Sequence, residues 1–363
     1  MRMRKILIWG LVLLAVFASC RRNTVSPRPT IPFVYHVLAD SSGLYRVAAH
    51  AGFSGSAGSI AVIGQPQDAI VLARSFLTAD RRDNVDGREK RDSLPDFAGE
   101  SFSVILDDYN EPYSHFVTDG PDVREHLDSL REVAVRCALF AWDSTCVRNP
   151  AKILIFTSSM QAEYGLFDVD TLQQLTGGRS LLLSPAEVML DQAYASGARQ
   201  IAVWTDARTA RSQAWEAVFA RKGWTDARLA VISPSKALDI RTEMRDLLRK
   251  YRSTGRALDI LLLDSYTMDA SYLHSELDLI RRADTDEDSS FCNMLSRDFS
   301  FMEPKSALTR ATYDLLRGNS LFTHRISRPF VSYYQTDESA QGQLILEEVA
   351  ESYVQNAYVP HLH

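Results

Sequence analysis

AYASGARQIAVWTD (193–206) and WEAVFARKGWTDARLAVIS (215–233) decide the fold. Each holds a helical pattern that stops at a glycine, Gly197 or Gly223, then a short polar step, then a nearly continuous apolar run. Glycine ends helices because it enters the left-handed region without a Cβ clash. Apolar runs that do not alternate are strands buried on both faces, the pattern of a parallel sheet covered by helices. The same grammar extends outward to SIAVIG (59–64), SFSVIL (101–106), KILIFT (152–157), SLLLS (180–184), QIAVWT (200–205), RLAVIS (228–233) and DILLLD (259–264). Between strands, Ser184, Pro185 and Glu187 read as a capping box with proline at the first helical position. Ile240, Met244, Leu247, Leu248 and Tyr251 fall on one helical face, as do Trp215, Val218 and Phe219. The class predicted is α/β, with two lobes built on parallel sheets; a single doubly wound α/β domain is the alternative. FVYHVL (33–38) and LYRV (44–47) flank a turn and predict a β-hairpin, and FVSYYQ (330–335) predicts a late strand followed by a helix over 339–357.

The order of helix, glycine, strand and amphipathic helix at Gly197, Ile201–Trp204, Trp215–Phe219 and Gly223 resembles the second lobe of type I periplasmic binding proteins, over residues 184–282. DILLLD continues the likeness, with an acidic residue at the strand end. The resemblance implies a first lobe over 33–183, a second over 184–330, and a strand and helix over 331–363 that return to the lobes. It also implies a small polar ligand held between the lobes.

At the amino terminus, Arg2, Arg4 and Lys5 precede an apolar run from Ile6 to Ala18, closed by Phe17, Ala18, Ser19 and Cys20. This is the pattern of a signal peptide over 1–19 ending at a lipidated cysteine, so the chain resembles a bacterial lipoprotein carrying palmitate-type acyl chains on Cys20. Residues 20–32, rich in proline, serine and threonine, read as a tether to the membrane. Arg21 in place of Asp points to the outer membrane, and no acidic cluster follows Cys20 of the kind that resembles the surface-export signal of Bacteroidetes lipoproteins. The periplasmic face is therefore expected. Removing residues 1–19 takes away three basic residues and no acidic one, moving the formal charge from −6 to −9. Such a surface disfavours nucleic acid, whose phosphates need cationic partners.

Cys137 and Cys146 are close enough in sequence to close a disulfide loop in an oxidising envelope. No metal-ligand spacing links the cysteines, no histidine sits in an H-E-x-x-H pattern, and no metal or cofactor is expected. GFSGSAGS (52–59) precedes a strand and lacks the lysine of a phosphate loop, so it reads as a connection. Asp284, Asp286 and Asp288 have calcium-loop spacing, but Ser289 stands where the loop needs glycine and Leu295 where it needs glutamate.

Ligands of open parallel sheets bind beyond the carboxyl ends of the strands. That rule selects Asp107, Asp108, Ser158, Ser159, Asp206, Ser235, Asp264 and Tyr266 as ligand-binding candidates. Serine and aspartate at these positions also cap the following helix. With no catalytic set assembled, the function expected is a membrane-anchored, non-catalytic binding domain for a small polar ligand. The alternatives are an envelope assembly or regulatory lipoprotein that contacts another protein, and an anchored hydrolase using Asp107, Asp108 and Asp264.

Overall fold

The computed structural model describes residues 28–40, 43–84, 87–117, 123–282, 290–291, 293–323, 325 and 327–358. The expectations placed on Cys20, the signal peptide and the Asp284–Asp288 loop lie outside the described residues.

The described chain opens on two short helices, α1 (Pro32–Ala39) and α2 (Leu44–Ala49), which replace the predicted hairpin. Pro32 presets the helical φ at the first position. Burial falls on Val34 and Val37, three residues apart, so the helical period wins in a window too short to separate the two periods by pattern. The first lobe continues with β1 (Ser59–Gly64), α3 (Pro66–Thr78), β2 (Ser101–Leu106), α4 (Val123–Trp142), β3 (Ala151–Phe156), α5 (Ser159–Thr176), β4 (Leu181–Leu183) and α6 (Pro185–Ala195). The second holds β5 (Gln200–Trp204), α7 (Ala207–Ser212), α8 (Ala214–Lys222), β6 (Arg228–Ile232), α9 (Ile240–Tyr251), β7 (Leu258–Leu263), α10 (Ala270–Arg282) and β8 (Leu295–Met302). The chain then returns through α11 (Pro304–Gly318), β9 (Phe330–Glu338), β10 (Leu344–Val349) and α12 (Glu351–Ala357).

The fold is α/β with two lobes. The first sheet has the order β10-β9-β2-β1-β3-β4 and the second β6-β5-β7-β8. All neighbours are parallel except β10, which runs antiparallel to β9. Every residue of β1 and β3 is buried, as the continuous apolar runs require. FVSYYQ returns to the first sheet as β9, paired with β2. The helix predicted over 339–357 is instead β10 followed by the short α12, because Ser339 and Gln343 close a hairpin through Gly342 at φ 73°. The second sheet is drawn from residues 200–302.

One apolar cluster runs through both lobes. It joins Ile60 and Val62 of β1, Met189 and Leu190 of α6, Trp215 and Val218 of α8, Ile201 of β5 and Ile260 of β7. Opening the lobes about this contact would expose apolar surface at roughly 25 cal/mol per Å². A buried charge reinforces the junction: Glu163 of α5, whose side chain is inaccessible, pairs with Arg221 of α8 at 2.5 Å. Arg28 joins the same carboxylate at 3.3 Å and lies over the Tyr164 ring at 4.2 Å. Arg131 donates to the Pro29 carbonyl, and the Ile31 N–H donates to Asp168. The final residues of the span read as a tether are thus docked on the lobe junction.

At the base of β3, Lys152 is buried and donates to Glu100 at 2.6 Å, to the Ser56 carbonyl at 2.9 Å and to the Leu321 carbonyl at 2.8 Å. The loop 52–59 is therefore a fixed ligand of the sheet base, and the 320–329 connection is held by the same ammonium.

Candidate functional site

The carboxyl ends of the two sheets meet. Tyr266, just beyond β7, is buried and donates its hydroxyl to the Thr157 carbonyl at the end of β3, 2.9 Å away. Tyr164 of α5 donates to the Ser212 carbonyl of α7. Between these ties, where the strand ends of the two lobes face each other, lies Asp264.

Asp264 ends β7 and receives donors from both lobes. The Ser159 hydroxyl reaches it at 3.0 Å from the first lobe; Thr205 at 2.7 Å and the Trp215 indole N–H at 2.9 Å come from the second. All of these donors bond Oδ2, and Oδ1 accepts no bond from the described residues. Burial raises the Asp264 carboxyl above its ordinary range, against the pull of the Trp215, Thr205 and Ser159 hydrogen bonds.

Asp68 approaches from the first lobe. The strand β1 ends at Gly64, Pro66 starts α3, and Asp68 falls in that helix's first turn. A helix N-terminus alone would favour the ionised form. Burial outweighs it, with the Asp264 and Glu111 carboxylates adding repulsion and a Gln65 side-chain bond opposing, so the Asp68 carboxyl is pushed up to about 7. Asp68 and Asp264 remain partly accessible rather than sealed in the core. Thr157 Oγ1 and Ser184 Oγ are buried without a hydrogen-bond partner among the described residues. These hydroxyls sit at the ends of β3 and β4.

The other strand-end residues differ in their roles. Asp107 is buried and fully used: it accepts from Asn110 and Tyr113, each at 2.7 Å, and from Thr336 at 2.9 Å, which locks the β2 loop to β9. Asp108 accepts from Gln335 at 2.9 Å. Ser158 caps α5 by accepting from the Gln161 N–H, and Asp206 caps α7 through the Arg208 and Thr209 N–H groups. Ser235 is a misplacement: it is exposed in the loop before α9, with its N–H on Asp246, because edge strand β6 hands the chain to the outer side of the lobe. Tyr266 ties the lobes, and its burial lifts the phenol well above its ordinary range, which keeps it protonated at neutral pH. Ser184 is the N-cap of α6, but its side chain makes no capping bond, contrary to the capping box predicted there. Cys137 and Cys146 are free thiols, so the expected disulfide is absent. Cys137 is buried in the apolar cluster beneath α4, while Cys146 lies in the turn after it with its sulfur beside the Thr145 hydroxyl.

The sequence rule missed Asp68, Thr205 and Trp215. It was applied to strand ends after β2, β3, β5, β6 and β7, whereas after β1 the same signal comes at Asp68, in the first turn of α3. Trp215 reads as a core residue, and its indole N–H gives no sequence signal of a partner 49 residues away.

Among the described residues no group of His, Cys, Asp and Glu is placed to hold a metal ion, and no helix is long and apolar enough to cross a membrane. No protein-family model and no curated protein sequence matches the chain. Among solved structures it is similar to the glutamate racemase of Francisella tularensis subsp. tularensis in complex with D-glutamate, with a TM-score of 0.50 and 15% identity over 79% of this chain and 91% of that one. A glutamate racemase isoform from Bacillus anthracis gives 0.49 and 13%, over 78% and 90%. The glutamate racemase of Aquifex pyrophilus gives 0.48 and 14%, over 78% and 92%. The shared fold is a two-domain α/β fold of the periplasmic-binding-like type.

These findings correct the functional expectation. The fold is shared with a glutamate racemase, an enzyme, which overturns the expectation of a non-catalytic binding lipoprotein.

Proposed function

We propose that the chain is an acid–base enzyme of the isomerase class, which moves a proton at a carbon of a small amine-bearing substrate between the lobes. The observation that carries this reading is Asp68, poised at about 7 in electrostatic contact with Asp264 from the other lobe. Two coupled carboxyls share a proton near neutral pH, so one is base while the other is acid. The base takes the proton from carbon, leaving a carbanion; the acid delivers its own proton to that carbon from its side. Proton count is conserved, and exchange with water resets the pair. Likeness to a glutamate racemase fold supports the class. The carboxylates of Asp68, Asp264 and Glu111 favour an ammonium group on the substrate and oppose a second carboxylate.

The test is incubation of the full chain in deuterium oxide with a panel of L-amino acids, including lysine, alanine and glutamate. Proton NMR follows loss of the α-proton, and chiral chromatography follows inversion. The expected result is exchange with inversion, strongest for amino acids without a side-chain carboxylate, and a loss of about 10²–10³-fold in Asp264→Asn, which keeps an acceptor for Ser159, Thr205 and Trp215. No exchange for any member of the panel, or an undiminished rate in the variant, would overturn the reading.

We further propose that Cys20 anchors the chain to a membrane, at the outer-membrane periplasmic face favoured by Arg21. The support is the basic, apolar and small-residue order of residues 2–20. Cells fed labelled palmitate should label the wild-type chain and leave Cys20→Ala unlabelled; equal labelling of both, or of neither, refutes the anchor.

A further inference from the structure

A cavity of about 1210 Å³ opens at the other end of the first sheet, where β2 and β9 begin. Part of its wall is apolar: Leu77 at the end of α3, Leu94 from the connection between α3 and β2, and the Tyr313 and Phe322 rings, whose centroids are 5.1 Å apart. Its charge is positive. Arg317, Arg325 and Arg328 all line it. The guanidinium groups of Arg325 and Arg328 are exposed and have no hydrogen-bond or ion-pair partner among the described residues. Arg317 packs over the backbone of Gly87, where a Cβ would come within 2.0 Å of its Nη1. Asp96 also lines the cavity, but its carboxylate is taken up by the N–H groups of Arg81 at 3.0 Å and Arg82 at 2.9 Å. Asn84 Oδ1, on the same wall, is buried without a partner.

We infer that this cavity binds an anion carried on an apolar body: a phosphate or carboxylate attached to an aromatic or aliphatic group. Guanidinium groups match the planar or tetrahedral oxygen sets of such anions. Leu77, Leu94, Tyr313 and Phe322 supply the dry surface that holds the body. The Asp68 and Asp264 site at the opposite strand ends is acidic, so the two sites take ligands of opposite charge, and this one does not depend on the catalytic reading.

The test uses the full chain and fluorescence titration with 1-naphthyl phosphate and 1-naphthoate, against 1-naphthol and inorganic phosphate as the body and the anion alone. Saturable binding of at least one naphthyl anion is expected, with affinity roughly tenfold weaker in the Arg325→Ala, Arg328→Ala double variant. The partial ligands should each bind more weakly than the naphthyl anions, and Asp68→Asn should bind them as wild type does. Which anion binds better identifies the head group. Absence of saturation up to about 1 mM, unchanged affinity in the double variant, or equal affinity for naphthol or inorganic phosphate would overturn the inference.

Discussion

Asp68→Asn is expected to lower turnover of the proton-transfer reaction by about 10²–10⁴-fold while leaving the fold intact. The amide keeps the shape of the carboxyl and its contact with Gln65 but can neither take nor deliver the proton. The wild-type kcat/KM should follow a bell with its alkaline limb near 7, where the pair loses its shared proton. Stability should move the opposite way from activity. A carboxyl raised from 3.8 to about 7 on folding holds a proton in the native state that the unfolded chain has released. Its stabilising contribution is complete below the unfolded value and is lost as pH rises through the folded one, so it fades between about pH 4 and pH 7. The uncharged asparagine escapes that loss. Thermal unfolding at about pH 5 and about pH 8 should therefore show the variant gaining on wild type at the higher pH, by a few degrees. A variant that retains turnover, or whose stability relative to wild type is independent of pH, removes Asp68 from the proposed pair.

Much of the fold was legible because buried parallel strands leave continuous apolar runs, and the seven runs from SIAVIG to DILLLD all became strands. Legibility failed where the signal was short or shared. FVYHVL has too few residues for its period to be read, and LILEEV became an edge strand only because the Gly342 turn folds it back on β9. The strand-end rule led to Asp264 and Ser159 together, which meet across the lobes at 3.0 Å. It could not tell the two uses of a strand-end carboxylate apart. Asp107 and Asp264 each accept three protein hydrogen bonds, yet Asp107 spends both oxygens on its own lobe, whereas Asp264 gathers its bonds on one oxygen. That difference depends on which elements converge in space. The coupling of Asp68 to Asp264 has the same origin, since their two loops lie in different lobes and nearly two hundred residues apart in sequence.

Lys152→Ala is expected to destabilise the chain by about 3–5 kcal/mol, because it leaves a carboxylate buried without its counter-charge. The Lys152 and Glu100 side chains are 1% and 0% exposed, and burial already lowers the ammonium's proton affinity. Both groups make further bonds: Glu100 accepts the Thr323 N–H at 2.8 Å, while the ammonium donates to the Ser56 and Leu321 carbonyls. Removing the lysine therefore orphans those acceptors as well as the carboxylate. Lys152→Met with Glu100→Gln should lose less than Lys152→Ala alone, since no uncompensated charge remains and the glutamine still accepts from Thr323. Urea unfolding of the three proteins measures this, and a Lys152→Ala loss below about 1 kcal/mol contradicts it. The effect should also reach the arginine-lined cavity. Leu321 and Thr323 begin the connection that carries Phe322, Arg325 and Arg328, so freeing it from the ammonium loosens the wall on which the anion is held. Lys152→Ala, where it remains folded, should accordingly bind 1-naphthyl phosphate more weakly, although Lys152 itself lies outside the cavity lining.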